Sequence, residues 1–286
     1  MTKYLDPTND MAFKKVFCDE ARMLKLLNAL MRLPEALQIE SLEYISNEQV
    51  PDLGQLKKSI IDIKCKDKQG NTFIVEMQNG YAEAFLKRTQ FYASKALTNQ
   101  VQRGKTYADI APVILIAIVH DFKPLQDAHL DVITFHRTVE VNTGKSYLKD
   151  LSYVFVELDR FNKKEEELQT FEDHWLYFLS RWYELNKPPA NLKDKDVLSA
   201  YEAIDQFNWT KEELELYDKI KLAADTEALN LKSKFQEGVD KGREEGREEG
   251  EKKKAIEMAK EMLSGKESLD KIIKYTKLTK EELEEL

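Results

Sequence analysis

The fold is decided by residues 59–78, which read Ser59-Ile60-Ile61-Asp62-Ile63-Lys64-Cys65-Lys66, then Asp67-Lys68-Gln69-Gly70-Asn71, then Thr72-Phe73-Ile74-Val75-Glu76-Met77-Gln78. The outer stretches are rich in β-branched and aromatic residues, and the middle stretch is a Gly-containing turn cluster, so the pattern predicts a β-hairpin. Asp62 and Glu76 are then expected on neighbouring antiparallel strands. Two carboxylates brought together on a sheet are suitable ligands for a hard divalent cation.

Other segments predict strands and helices around this hairpin. Apolar residues at helical spacing predict helices within residues 8–33, and alternation predicts a first strand at 37–46. A long helix is predicted at 82–103 with Gly104 as its C-cap. A fully buried strand is predicted at 112–119, because that run is apolar on both faces. The remaining predicted elements are strands at 129–135 and 153–158, a helical segment from about 164 to Pro188, and helices at 195–207 and 211–235.

The composition is typical of a packed core joined to a solvated, charged segment. Of 286 residues, 42% are hydrophobic and 34% are charged, and the excess charge is concentrated towards the C-terminal end. The two cysteines, Cys18 and Cys65, form no CxxC, which fits a reducing cytoplasm and gives no zinc-site spacing. The N-terminus has no apolar signal core, and the longest apolar run, 111–119, is too short to span a bilayer. We therefore expect a soluble cytoplasmic protein with no membrane partner.

Positive charge surrounds the predicted hairpin, although the chain as a whole is acidic. The formal net charge is −8, which argues against attraction of the whole molecule to nucleic acid. Residues 57–105 nevertheless hold ten Lys/Arg and four Asp/Glu. A positive field beside a metal-type site suggests a phosphate-bearing substrate. The alternative is that these cations belong to an ordinary solvated helix face.

The C-terminal part of the chain has a different pattern. Glycines recur every four residues from Gly238 to Gly250 among charged side chains. Each Gly destabilises a helix by roughly 1 kcal/mol relative to Ala, and the segment has no apolar face. Residues 237–254 are therefore predicted to be a charged tether or a weak helix, with close pairing of two chains through the glycine stripe as the alternative. Residues 255–286 recover a helical apolar pattern and predict a small helical cap.

Three residues extend the candidate site beyond the carboxylate pair. Gln78 follows Glu76 by two positions, so both side chains point to the same face of the strand. Arg88 and Tyr92 are four residues apart on the next predicted helix and therefore share one of its faces.

Other catalytic patterns are missing from the sequence. The four histidines form no HExxH motif, neither cysteine has a local catalytic signature, and there is no GxxxxGK[ST] or GxGxxG stretch. His120 follows the predicted buried strand and is interpreted as a strand-end residue, not a ligand.

Several motifs, in the order in which they occur along the chain, are similar to those of a known family. The motifs are Asp6-Pro7-Thr8-Asn9-Asp10-Met11-Ala12-Phe13-Lys14-Lys15-Val16-Phe17, Asp62, Glu76-Met77-Gln78, Arg88-Thr89-Gln90-Phe91-Tyr92, Gln102-Arg103-Gly104-Lys105-Thr106-Tyr107 and the Gly-Arg-Glu-Glu repeat. In these motifs the chain resembles the PD-(D/E)XK nuclease superfamily. It is most similar to the Rpn group of recombination-promoting nucleases, also described as transposases. The resemblance covers most of the chain and is strongest over residues 58–119.

The resemblance implies roles for six residues. Asp62 and Glu76, with the backbone carbonyl of Met77, would hold Mg²⁺ or Mn²⁺, which would activate a water and stabilise charge on the scissile phosphate. Gln78 stands where the superfamily usually has a lysine that orients the water or supports the developing charge. Glutamine can hydrogen-bond a water but carries no charge. Arg88 is expected to contact phosphate, and Tyr92 to position a neighbour or the substrate backbone.

Three further residues are candidates with equally ordinary alternatives. Lys64 points to the same strand face as Asp62, so it is either a substitute for the missing lysine or a solvated strand residue. Asp10 and Lys14 are one helical turn apart. They either complete the site, with Lys14 as a phosphate contact and Asp10 as an accessory group, or belong to a capped surface helix.

We therefore expect an α/β restriction-endonuclease-like core with a mixed central sheet flanked by helices, followed by an all-helical C-terminal extension. The predicted segments are a core at 1–160, a helical extension at 161–236, the glycine-repeat segment at 237–254 and a cap at 255–286. The expected function is Mg²⁺-dependent hydrolysis of DNA phosphodiester bonds, linked to recombination or transposition of mobile DNA. The rival is a nuclease-fold DNA-binding or assembly module with little or no catalysis. The C-terminal tail is a candidate arm for homo-oligomerisation.

Overall fold

The computed structural model describes residues 3–45, 48–49, 59–60, 62–101 and 106–286. The strands are β1 (Glu43–Tyr44), β2 (Glu48–Gln49), β3 (Ser59–Ile60), β4 (Ile63–Lys66), β5 (Thr72–Asn79), β6 (Val113–His120), β7 (Ile133–Arg137) and β8 (Leu151–Glu157). The α-helices are α1 (Asp10–Phe17), α2 (Glu20–Leu30), α3 (Phe85–Thr98), α4 (Phe171–Arg181), α5 (Lys195–Ile204), α6 (Lys211–Ser264), α7 (Leu269–Thr276) and α8 (Lys280–Glu284). The chain divides into two compact units, Met1–Ala224 and Asp225–Leu286.

The centre of the first unit is a six-stranded mixed sheet with the strand order β1-β4-β5-β6-β8-β7. Strands β5, β6 and β8 are parallel to one another. The predicted hairpin is present, because β4 pairs antiparallel with β5 around the turn at Gly70, whose φ is +86°. Strand β7 pairs antiparallel with β8, and β2 and β3 form a separate antiparallel pair. The expected mixed sheet of an α/β core is therefore confirmed.

Helices cover both faces of this sheet. Alternate residues of a strand point to opposite faces, so Ile74 of β5 packs with Phe85 and Ala93 of α3. Phe73 and Val75 point the other way, into the larger core. That core is completed by buried residues of four helices, among them Phe13 of α1, Leu27 of α2, Trp175 of α4 and Tyr201 of α5.

Helices α4 and α5 belong to the same compact unit as the sheet. The ring of Trp175 lies 5.4 Å from that of Phe17, and the ring of Phe178 lies 4.9 Å from that of Tyr201. These aromatic side chains are buried core residues. The predicted segment boundaries at 160, 236 and 254 remain predictions.

The expected first strand at 37–46 is wrong over most of its length. Among the described residues of this range, only Glu43–Tyr44 forms a strand, which pairs with β4. Before it, the Asn28 side chain donates to the carbonyl of Ile39 and accepts from its N–H, and a carboxylate oxygen of Glu20 accepts from the N–H of Leu42. These side-chain hydrogen bonds occupy backbone groups that a longer strand would use in a ladder.

The predicted helix at 82–103 is shorter at both ends. It begins at Phe85, after Ala84 in the left-handed region, and ends at Thr98. Beyond its end, the Gln100 side chain bonds both the N–H and the carbonyl of Ala111, which turns the chain towards β6. The predicted cap at Gly104 lies outside the described residues.

Helix α6 runs through the glycine repeat, well beyond the predicted end near 235. Glycine is a weak helix former, but the repeat also places opposite charges one turn apart. Lys241 lies 3.7 Å from Glu245, and Arg247 lies 3.0 Å from Glu251. Such pairs each stabilise a helix by about 0.2–0.5 kcal/mol.

The second compact unit ends in the predicted helical cap. Its core is formed by Ala259, Ile272, Leu278 and Leu283. The N-terminus of α8 has a capping box between Thr279 and Glu282. Across the described part of the chain, no helix combines the length and apolar content that a membrane span requires.

Candidate active site

The two predicted carboxylates meet where β4 and β5 begin to separate. Ile63 lies opposite Val75 in the antiparallel register, so Asp62 and Glu76 are the next residues facing each other. Oδ2 of Asp62 accepts a hydrogen bond of 2.7 Å from the backbone N–H of Met77. The hairpin therefore brings the acidic side chains together, and one of them is fixed to the strand that carries the other.

Both carboxylates are held in conditions that oppose their charged forms. Glu76 is 6% exposed, and within the described residues its Oε1 has no hydrogen-bond partner. Burial, and then the charge of Asp62, raise the pKa of Glu76 well above its usual range. Burial also raises the pKa of Asp62, with the hydrogen bond from Met77 acting against the shift. The pair concentrates buried negative charge that a cation would relieve.

The donor set fits a hard divalent cation. A buried carboxylate oxygen without a partner is the kind of group that a metal satisfies, and both carboxylates supply oxygen ligands. The N–H of Met77 points towards Asp62. The carbonyl of a strand residue points to the same lateral side as its N–H, so the carbonyl of Met77 is aimed towards this edge as well. Asp62, Glu76 and the Met77 carbonyl are the groups that would hold the ion.

Gln78 is joined to Arg88 across the gap between β5 and α3. Nη2 of Arg88 donates to Oε1 of Gln78 at 2.5 Å. The Gln78 amide nitrogen donates to the carbonyls of Asn79 and Gly80 at 3.2 and 3.1 Å. Arg88 is half-buried over the ring of Phe85, at 5.2 Å from the ring centroid. The sequence predicted that Gln78 and Arg88 would lie near each other but did not predict their contact.

The guanidinium of Arg88 lies within electrostatic reach of the carboxylates. It opposes the upward shift of the pKa of both Asp62 and Glu76. Its Nε is buried and has no hydrogen-bond partner among the described residues. A half-buried positive group thus lies beside the acidic pair.

Helix α1 contributes a second cation. Nζ of Lys14 lies 2.7 Å from Oδ1 of Asp10, and its charge acts on Asp62 and Glu76. Asp10 in turn helps to raise the pKa of Asp62. The segment before α1 is tied to the site strand, because the Asn79 side chain donates to the Thr8 hydroxyl at 2.9 Å. The structure therefore places Asp10 and Lys14 beside the pair, and their roles remain predictions.

Lys64 and Tyr92 occupy the neighbourhood of the site less directly. Lys64 is half-buried on β4 opposite Ile74, and burial together with the charge of Lys66 lowers its pKa. Tyr92 packs against the core on the α3 face, with its ring 6.2 Å from that of Phe91. Their proposed contributions to catalysis or substrate contact remain predictions.

Another group of potential metal ligands lies at the ends of β6 and β8. His120, Asp121 and Asp159 offer ligand atoms that all lie within 4.8 Å of one another. Nδ1 of His120 is 2.9 Å from Oδ1 of Asp159. The sequence interpretation of His120 as an isolated strand end missed this cluster. Recognising that the two predicted strands are parallel neighbours would have found it, because their carboxyl ends then meet at one edge of the sheet.

Comparison with known proteins identifies the family of the chain. A family model described as PD-(D/E)XK nuclease family transposase matches residues 7–231. This match covers most of the chain, so the protein belongs to the PD-(D/E)XK nuclease family of transposases. No curated protein and no solved structure matches the chain.

Proposed function

We propose that this protein is a divalent-metal-dependent endonuclease that hydrolyses phosphodiester bonds in DNA. The observation that carries the proposal is the buried Glu76 carboxylate, which faces Asp62 and has an oxygen without a partner among the described residues. An arginine beside the Asp62 and Glu76 carboxylates fits a phosphate better than a neutral substrate. Membership of a nuclease family of transposases supports the same reaction class.

The residues of the chain divide into metal ligands and phosphate contacts. Asp62, Glu76 and the carbonyl of Met77 would hold Mg²⁺ or Mn²⁺. When bound, such an ion lowers the pKa of a water and neutralises charge on the scissile phosphate. Arg88 would receive a non-bridging phosphate oxygen, since the positive charge absent from Gln78 is supplied by the arginine it holds. Stabilisation of the charge that develops in the transition state contributes strongly to the rate of hydrolysis.

Lys14 is proposed as a supporting phosphate contact. Its charge acts on both carboxylates, and Asp10 holds its ammonium group by a 2.7 Å ion pair. Lys14 is half-buried on α1, and the segment before that helix is fastened to Asn79. A DNA strand that places its phosphate between Lys14 and Arg88 would lie over the carboxylate pair.

The proposal is tested by incubating supercoiled plasmid with the full-length protein in Mg²⁺, in Mn²⁺ and in EDTA. Wild type is expected to nick or linearise plasmid with either metal and not in EDTA. Asp62→Asn is expected to lose this activity, whereas Glu43→Gln serves as a matched control because Glu43 is an exposed carboxylate on the neighbouring strand β1. Equal cutting by wild type and Asp62→Asn would show that the assigned site is wrong.

One observation favours a second candidate, a nuclease-fold module that binds DNA or assembles on it with little catalysis. Oε1 of Gln78 is engaged by Arg88, so it is not available to orient a water while that contact lasts. The chain also carries a net charge of −8, which is low for a protein that must hold long DNA. DNA binding without metal-dependent cutting, and without stabilisation by Mn²⁺, would favour this candidate.

The biological role of the protein is also a proposal, and it rests on the family. A nuclease in a family of transposases is suited to cutting mobile DNA during recombination or transposition. A cytoplasmic location and a homo-oligomer formed through the C-terminal helices are proposals of the same kind.

A further inference from the structure

The outer face of α3 presents cations and an exposed aromatic ring beside the candidate active site. Lys87, Phe91 and Lys95 are spaced four residues apart, so they line up along one side of the helix. We call them the basic–aromatic row. Phe91 is 50% exposed, and Nζ of Lys95 lies 5.7 Å from the centroid of its ring. An aromatic ring is therefore held at the surface between two positive side chains.

The charge of α3 makes this face attractive to a polyanion. The helix sequence FLKRTQFYASKALT contains three cations, Lys87, Arg88 and Lys95, and no acidic residue. In a chain with a net charge of −8, a helix of purely positive charge is unusual. Single exposed hydrophobic residues are common on protein surfaces, but this ring lies within a local positive field that would draw phosphates to it.

The basic–aromatic row is continuous with the candidate active site. Arg88 lies three residues before Phe91 and seven before Lys95, so all three share adjoining positions around the helix. Arg88 reaches inward to Gln78 on the strand that carries Glu76, while Phe91 and Lys95 continue outward. A nucleic acid strand bound at Arg88 would therefore be led across the ring of Phe91.

An exposed aromatic ring interacts differently with single-stranded and duplex DNA. In a duplex the bases are stacked on one another and their faces are covered, so an aromatic side chain on a helix surface gains nothing from them. In a single strand the bases are free to stack on an aromatic ring while the phosphates contact neighbouring cations. We propose that the basic–aromatic row binds single-stranded DNA and leads it to the Asp62–Glu76 site. This inference rests on the proposed function for its account of what happens at the site.

The test measures the affinity of full-length protein for a fluorescent oligonucleotide, as a single strand and as a duplex, by anisotropy in EDTA. EDTA prevents metal-dependent cutting during the measurement. Base–aromatic stacking is worth about 1–3 kcal/mol per base, so Phe91→Ala is expected to weaken single-strand binding roughly 5- to 150-fold. Phe91→Trp retains a stacking ring and is expected to bind nearly as well as wild type. Duplex affinity is expected to change little in either variant.

Phe207→Ala is the matched control. Phe207 is 81% exposed and follows α5, which packs on the opposite face of the sheet from α3. Its removal is expected to leave single-strand affinity unchanged. Lys87→Ala and Lys95→Ala are each expected to reduce the slope of log affinity against log salt concentration by about 0.7 for single strands.

The outcomes separate this inference from the proposed nuclease activity. If Phe91→Ala binds the single strand as tightly as wild type, or loses duplex and single-strand affinity equally, the inference is overturned even if the protein cuts plasmid. If Phe91→Ala loses single-strand affinity selectively while wild type cuts no DNA, the single-strand surface is supported and the nuclease proposal fails. A change in oligomeric mass of Phe91→Ala with unchanged DNA affinity would instead identify the row as a contact between protein chains.

Discussion

Arg88 donates a 2.5 Å hydrogen bond from Nη2 to Oε1 of Gln78, so the guanidinium of α3 is fastened to the strand that carries Glu76. The resemblance to the superfamily implies a lysine at the position where this chain has Gln78. In this protein the position is occupied by a neutral amide that holds an arginine supplied by the next helix. The positive charge is therefore present at the site, but it comes from a different element of the fold.

Arg88→Met is expected to slow plasmid cleavage by roughly 100-fold, since the loss of one group that stabilises transition-state charge has effects of about this size. The reason is that a half-buried cation next to Asp62 and Glu76 would be removed while the carboxylates stay in place. The measurement is the initial rate of nicking in saturating Mg²⁺. Arg137→Met is the control, because Arg137 is exposed at the end of β7. Equal rates for Arg88→Met and wild type would contradict the assigned role.

Gln78→Met is expected to reduce the same rate by less than Arg88→Met. The substitution removes the anchor of Arg88 but leaves its charge over the ring of Phe85. Comparing the nicking rates of the two variants under identical conditions shows which of the two side chains contributes more to cleavage. If Gln78→Met abolished cleavage while Arg88→Met had little effect, Gln78 would be the group that acts on the water and Arg88 its support.

Glu76→Gln is expected to raise the melting temperature of the metal-free protein, and to do so more as the pH rises. Because burial raises the folded-state pKa of Glu76, the proton is held more tightly in the folded protein than in the unfolded chain. The stabilisation from that proton is complete below the unfolded pKa, near 4.3. It is lost as pH rises towards the folded pKa. Thermal melts in EDTA from pH 5 to 9 measure the difference, with Glu43→Gln as the control.

A difference between Glu76→Gln and wild type that shrinks or changes sign as pH rises would contradict the inferred burial of an ionisable Glu76. A constant difference over this range would also do so, since it would mean that the folded and unfolded pKa values are alike. The expected trend depends on removing bound metal, because a cation in the site compensates the buried charge.

Mn²⁺ is expected to raise the melting temperature of wild type and not of Asp62→Asn. A ligand that binds only the folded state stabilises it by about 2.7 kcal/mol at a concentration one hundred times its Kd. The cluster of His120, Asp121 and Asp159 provides a separate possible ligand set, so wild type, Asp62→Asn and His120→Ala are compared together. If Asp62→Asn were stabilised as strongly as wild type, while His120→Ala was not, the strand-end cluster would be the metal site.

Gly242→Ala and Gly246→Ala are expected to stabilise α6. A Cβ at either position would meet no heavy atom within 4 Å among the described residues. Ala is favoured over Gly by roughly 1 kcal/mol in a helix interior. The helical signal of the double variant at 222 nm should persist to higher temperature than that of wild type. A fall in both helical signal and solution mass would instead support close pairing of two chains through the glycines.

The hairpin and its carboxylate pair were predictable because both signals are local. A turn cluster at Gly70 joins two β-rich stretches, and the spacing alone brings Asp62 to Glu76. The contact between Gln78 and Arg88 was not predictable, because it depends on the distance between a strand and a helix that are separated by Gly80 and a short turn.

Where the predicted secondary structure differs from the structure, the main cause is again contact between residues far apart in the sequence. The strand expected at 37–46 alternates apolar and polar residues, but Asn28 and Glu20 of α2 take up its backbone groups. Helix α6 is a local exception, because it continues past the glycines that the propensity scale disfavours and has ion pairs between residues four apart, such as Arg247–Glu251, along it. The cluster at His120 and Asp159 needed the strand order β6-β8, which no local pattern specifies.

The most direct test of the central claim is the rate of nicking of supercoiled plasmid by wild type and Glu76→Gln at the same protein and Mg²⁺ concentrations. The substitution keeps the size of the buried side chain and removes its negative charge, so loss of activity cannot be assigned to a cavity. We predict that wild type nicks plasmid in Mg²⁺, that EDTA stops the reaction, and that Glu76→Gln falls to the rate seen in EDTA. Nicking by Glu76→Gln at the wild-type rate would contradict the account.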